Sequence, residues 1–141
     1  MDQSQLDFWR QHSTNFLEMA FSNDKFERIQ HPDGYGKCGR ECGDTLEIFL
    51  TARNGHIHSA SFYTEGCIYT AACANTVIRM ITGKPHEDAW EITVQNVVDF
   101  LETLPKKERH CAELAVKALR LALVDLKQTE RQPWTKYYRT L

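Results

Sequence analysis

The chain has 141 residues, enough for one domain with a modest core, and its 17 basic and 19 acidic side chains leave a formal net charge of −2. That balance gives no electrostatic reason to expect nucleic acid, and no apolar run approaches the roughly 20 residues needed to span a membrane. The opening MDQSQLDFWR has neither a basic start nor an apolar core, so it does not read as a signal peptide, and the expected compartment is the cytoplasm. Five cysteines is an odd number and no C-x-x-C is present, which argues against a disulfide scaffold and a thioredoxin-type site. Intracellular thiols more often bind metal or do chemistry.

In chain order, residues 1–22 carry Leu6, Phe8, Trp9, Phe16, Leu17, Met19, Ala20 and Phe21 among polar residues, predicting one amphipathic N-terminal helix. Residues 26–30 predict a short strand, ended by the turn signal Pro32-Asp33-Gly34. Residues 34–43 are glycine-rich and read as a loop, without the Gly-Lys-Ser/Thr of a phosphate-binding loop. Residues 45–52 then alternate, with Leu46, Ile48, Leu50 and Ala52 on one face and Thr45, Glu47 and Thr51 on the other.

Arg53-Asn54-Gly55 turns that strand back on itself, since Asn and Gly both tolerate positive φ. A two-residue turn sets Ile48 opposite Ser61. A three-residue turn with Gly55 as the bulge sets Leu46 opposite Phe62, gathers the apolar side chains, and is the preferred register. Either register brings Cys42 and Cys67 to the open end of the hairpin with Asp44 beside them.

Residues 68–81 predict a helix stopped by Gly83, with Cys67 at its N-terminus, where the macrodipole favours a thiolate. A short helical turn over 85–90 follows. Val94, Val97, Val98 and Leu101 mark another helix, capped by Thr93. The last helix spans 107–127, its apolar face built from Cys111, Ala115, Ala118, Ala122 and Leu126 and broadened by Leu114, Leu119 and Leu121. Residues 131–141, with Trp134, Tyr137 and Tyr138, form a tail, for docking or simply frayed. The whole of 1–141 reads as a single domain.

Cys42, Asp44, Cys67, His110 and Cys111 remain as a candidate constellation; the hairpin unites the first three, and sequence spacing does not place the other two. Cys73, on an apolar helical stripe, reads as a buried hydrophobe, and Cys38 as an exposed thiol in the glycine-rich loop. Asp44 has an alternative as a cap of the hairpin mouth, and His110 as a hydrogen-bonding residue at the helix start. His56 and His58 read as ordinary strand residues at the turn end.

Cys42-Gly43-Asp44, then Ala60-Ser61-Phe62 leading to Gly66-Cys67, then Leu104-Pro105 before His110-Cys111-Ala112-Glu113-Leu114-Ala115 resemble the IscU/NifU-type iron–sulfur cluster assembly scaffold over residues 36–127. The resemblance implies an α+β fold: a small three-stranded antiparallel sheet with helices packed on one face and a long C-terminal helix. It implies a site made by Cys42, Cys67 and Cys111 with Asp44 and His110 nearby, binding iron and a transient 2Fe–2S cluster. It further implies a scaffold rather than an enzyme, with Cys111 accepting persulfide sulfur from a cysteine desulfurase and the cluster passing to apo iron–sulfur proteins.

Two departures stand out. The family's Leu-Pro-Pro-Val-Lys chaperone segment is here Leu104-Pro105-Lys106-Lys107-Glu108, so a chaperone partner does not carry over, and the N-terminal Asn-Pro-Arg segment is absent. No C-terminal Cys-x-x-C domain follows, as in stand-alone forms. Two other readings use the same residues: a zinc-binding module, and a thiol-transfer enzyme with His110 as base to Cys111. The second is disfavoured, unless the first turn is irregular, because adjacent helix residues do not face each other.

Overall fold

In the computed structural model, which describes residues 3–39 and 44–138, the hairpin forms from β2 (Thr45–Arg53) and β3 (His56–Thr64). Asn54 and Gly55 both adopt positive φ, 52° and 77°, so the turn holds two residues. The register beyond it is neither of those expected. A bulge between Thr51 and Ala52 leaves His58 as the extra residue on β3 and sets Ile48 opposite Phe62 and Leu50 opposite Ala60. Collecting the apolar side chains on one face did decide the pairing, but the slip is taken up at His58 rather than at Gly55.

The third strand is β1 (Gly34–Gly39), antiparallel to β2, in the stretch expected to be a loop. Residues 26–30, expected to be a strand, make only an isolated bridge from Phe26 to Phe62 at the free edge of β3. Glycine is a poor strand former in isolation. Here the inward positions Gly34, Gly36 and Cys38 lie against the last helix, α6 (Arg109–Arg131). A Cβ on Gly36 would collide with the Ala118 carbonyl oxygen and the Ala122 amide nitrogen, and one on Gly34 would come within 2.6 Å of the Ala122 carbonyl oxygen. The strand exists because its missing side chains let two backbones touch. Cys38 is consequently buried rather than exposed.

Among the described residues the sheet has the order β1-β2-β3, with helices on its inner face, as the resemblance implied. That face presents Leu46, Ile48, Leu50, Ala60 and Phe62 to α3 (Ile68–Ile81) and to the Leu114, Ala115, Ala118, Leu119, Ala122 and Leu126 stripe of α6. Leu123 is buried with that stripe, whereas Leu121 faces outward at 42% exposure. Each fully buried Phe or Leu contributes about 1.5–3 kcal/mol of transfer free energy. On the outer face, Glu47 accepts from the Tyr35 hydroxyl at 2.6 Å and from Arg28 at 3.1 Å, which satisfies a nearly buried carboxylate.

The N-terminal helix is broken in two, α1 (Gln3–Gln11) and α2 (Thr14–Phe21). Ser13 is the reason. Its hydroxyl accepts from the Phe16 amide at 3.1 Å, capping α2, and donates to the Leu101 carbonyl at 2.7 Å. Asn75 of α3 fastens the other end of α2 by donating to the carbonyls of Met19 and Ser22. α4 (His86–Trp90) and α5 (Val94–Leu101) follow where expected, α5 with a full capping box between Thr93 and Asn96. A 3-10 turn, Lys106–Glu108, leads into α6, and another, Pro133–Tyr138, carries the exposed Trp134, Tyr137 and Tyr138. Among the described residues no helix is long and apolar enough to cross a membrane.

Candidate metal centre

The open end of the hairpin is fastened by Thr64, whose hydroxyl donates to the Thr45 carbonyl and accepts from the Gly66 amide at 2.9 Å. This fixes Asp44 on one arm relative to Gly66 and Cys67 on the other. A Cβ on Gly66 would lie 3.0 Å from the Thr70 hydroxyl and 3.1 Å from that of Thr64, so this close approach depends on glycine. Cys67 is the N-cap of α3, with extended backbone, and is exposed. Its carbonyl accepts the first helical bond, from Ala71, while its side chain makes no capping hydrogen bond.

One turn into α3, the buried Thr70 stands between two sulfurs. Its hydroxyl is 3.7 Å from Cys67 Sγ and donates to Cys111 Sγ at 3.4 Å. Cys111 comes from the first turn of α6, where the preceding 3-10 turn supports His110 by its Nδ1 contact to the Lys107 carbonyl at 3.2 Å. His110 Nε2 lies 3.5 Å from Cys111 Sγ and 3.7 Å from Asp44 Oδ2. The irregular helix start, the exception allowed for, thus brings these adjacent residues to one side.

Glu108 completes the group, with Oε2 3.8 Å from both Cys111 Sγ and His110 Nε2. Two sets of donor atoms result, Asp44–His110–Cys111 and Cys67–Glu108–Cys111, each with all atoms within 4.8 Å of one another and both sharing the Cys111 sulfur. Cys42 lies outside the described residues. Four of the five candidate residues are therefore together, drawn from the hairpin mouth, the start of α3 and the start of α6.

Cys111 and Cys67 differ sharply in their surroundings. In keeping with its place on the apolar face of the last helix, Cys111 is 0% exposed, while Cys67 is open. The Cys111 sulfur is enclosed by the polar Thr70, Glu108 and His110 rather than by hydrocarbon alone. A helix start should depress a thiol's pKa, but burial pushes this one up to about 12; the Thr70 hydrogen bond works against that, and the neighbouring Cys67 and Glu108 add to it. Cys73, beneath, is fully buried, and burial raises it well above the ordinary thiol value.

Sequence reading missed Glu108 and Thr70. Both stand three residues from a candidate cysteine, Glu108 before Cys111 and Thr70 after Cys67. Residues at that spacing in a helix share a side, and that signal was available.

A three-stranded antiparallel sheet covered on one face, with thiols, a carboxylate and an imidazole converging where hairpin and helix starts meet, defines a small α+β domain with a group of side chains that could hold a metal ion. Its fold matches two crystal structures at 17% identity. One is described as an iron–sulfur cluster assembly scaffold protein for the SUF system from Fervidobacterium islandicum (TM-score 0.66, covering 81% of this chain and 97% of that one). The other is a NifU-like N-terminal protein from Brucella abortus (TM-score 0.65, covering 82% and 94%).

The family model for the NifU-like N-terminal domain matches residues 22–132, and the chain belongs to that family. Iron–sulfur cluster assembly scaffold protein IscU 1 of Archaeoglobus fulgidus is 37% identical over 99 residues, 70% of this chain and 65% of that protein. IscU of Haemophilus influenzae is 28% identical over 123 residues, 77% of this chain and 97% of that protein. The chain thus spans a little under two thirds of the Archaeoglobus relative.

Proposed function

We propose that the chain is a scaffold on which 2Fe–2S clusters are assembled from iron and from sulfur supplied by a cysteine desulfurase, then passed to apo-proteins, in the cytoplasm. The observation that carries this reading is the pair of donor sets sharing the Cys111 sulfur. Durable iron–sulfur centres usually have four cysteine ligands. Here Cys42, Cys67 and Cys111 would provide the thiolates, and Asp44 or His110 the fourth position. A carboxylate oxygen is a harder and weaker partner for an iron–sulfide cluster than sulfur is, so its bond exchanges and the cargo can leave. The names of the similar IscU proteins support the same role.

Cys111 is the proposed sulfur acceptor. Its thiolate attacks the outer sulfur of the desulfurase persulfide, the S–S bond breaks, and the desulfurase cysteine departs as thiolate. Burial raises the Cys111 thiol, and a cation held by either set of donor atoms that shares its sulfur would favour departure of the proton.

Anaerobic incubation with a desulfurase, cysteine and ferrous iron tests the reading: charge-transfer colour should develop and move to an apo-ferredoxin. The mixed oxygen, nitrogen and sulfur set of Asp44, His110 and Cys111 also suits tetrahedral zinc, which makes a zinc-binding module the second reading. Zinc that stays bound, with neither colour nor transfer, decides for the module.

A further inference from the structure

We infer that Glu108 is a direct ligand of the divalent ion that enters this site, acting with Cys67 and Cys111. The inference rests on the reading of the site as one that takes up metal, and adds a residue to it.

Glu108 is the N-cap residue of α6, with φ −104°, yet its side chain makes no capping hydrogen bond. Glu108 also closes the 3-10 turn that runs into α6, and its side chain points into the cluster, with Oε2 at 3.8 Å from Cys111 Sγ and from His110 Nε2. The Cys111 thiol donates to that oxygen; with the proton displaced, the separation is close to that of two ligands around one tetrahedral ion, about 3.6 Å between O and S for metal–ligand bonds of about 2.1 and 2.3 Å. Cys67 Sγ joins the same three-atom set. The Glu108 side chain is 20% exposed and the Cys67 side chain is open, so an ion reaches them from solvent. Cys111, enclosed below, contributes a sulfur held in place by Thr70. Asp44 and Glu108 both approach His110 Nε2, at 3.7 and 3.8 Å, and each shares a set of donor atoms with the Cys111 sulfur. The site therefore carries two carboxylates within reach of Cys111, and an incoming cation is held by oxygen and sulfur together before any sulfide is present.

The test uses full-length, metal-free, reduced protein titrated with cobalt(II), whose thiolate charge-transfer band and visible ligand-field bands report the donors. Glu108→Gln should weaken cobalt binding by at least about tenfold, while circular dichroism stays unchanged. Glu108→His, which replaces the oxygen by an imidazole nitrogen, should restore affinity to within about threefold and shift the ligand-field bands. An unchanged affinity and spectrum in Glu108→Gln overturns the inference. So does a loss in Glu108→Gln that histidine fails to recover, since that marks the carboxylate as a source of field only. Wild-type protein that takes up no cobalt overturns the metal-site reading itself, and is told apart because it fails before any variant is compared.

Discussion

Cys111 should be the slowest thiol at the site to react, and its reactivity should keep climbing at pH values where ordinary thiols have levelled off. At pH 8 a thiol pushed up to about 12 is ionised in about one molecule in ten thousand, against about one in ten at the ordinary value of 9.0. That is about a thousandfold fewer thiolates. A more basic thiolate is a better nucleophile, and a Brønsted coefficient of about 0.4–0.5 over three pK units returns about twentyfold. The net expectation is reaction with an aromatic disulfide about fiftyfold slower than for an unperturbed thiol, before any loss from burial. The sign is fixed by the neutral form being the protonated one: raising the pH creates thiolate, so the logarithm of the rate rises with pH until the pKa is passed. The assay is timed reaction, quench, digestion and mass spectrometry of the Cys111 and Cys67 peptides from pH 7 to 10.5, with the exposed Cys67 as internal reference. A Cys111 rate equal to that of Cys67, or one that levels off below pH 9.5, refutes the claim that burial governs this thiol.

Three further outcomes are expected. Asp44→Ala should lengthen the lifetime of an assembled cluster, by roughly severalfold in a chase with apo-ferredoxin, because the exchangeable oxygen ligand is gone; faster loss contradicts the weak-ligand argument. Gly36→Ala forces a methyl into the backbone of α6 at Ala118 and Ala122, atoms that cannot rotate aside. It should cost about 3 kcal/mol, or roughly 10 °C in Tm by scanning calorimetry, and a change within 2 °C disproves the tight contact. Thr93→Ala removes the cap of α5 and should lower stability by about 1 kcal/mol in urea, with no effect on metal uptake.

Local chemistry made the hairpin, α3, α5 and most of α6 readable, since alternation, Asn54-Gly55, Gly83 and Thr93 each name their own conformation. What stayed hidden depends on partners remote in sequence. Gly34–Gly39 carries loop composition, and only α6, some eighty residues on, turns its glycines into a packing surface. The break at Ser13 depends on the Leu101 carbonyl, and the burial of Cys38 on the same β1–α6 contact. At the site, Asp44 and Cys67 were foreseeable from the hairpin, whereas His110 and Cys111 were brought in by resemblance. What encloses the Cys111 sulfur, Thr70 and Glu108 among others, was not legible, because a helix start says nothing of what lies over it.

The contact between Gly36 and α6 also restricts how the molecule can let go. With strand backbone wedged against the Ala118 and Ala122 backbone, α6 cannot glide along the sheet without lifting off it, so the sulfur at its head stays level with the hairpin. This seam argues against a sliding-helix mechanism, and on the proposed scaffold reading departure of a cluster would fall to individual side chains at the rim, Asp44, Glu108 and Cys67, swinging outward while the floor beneath them holds still.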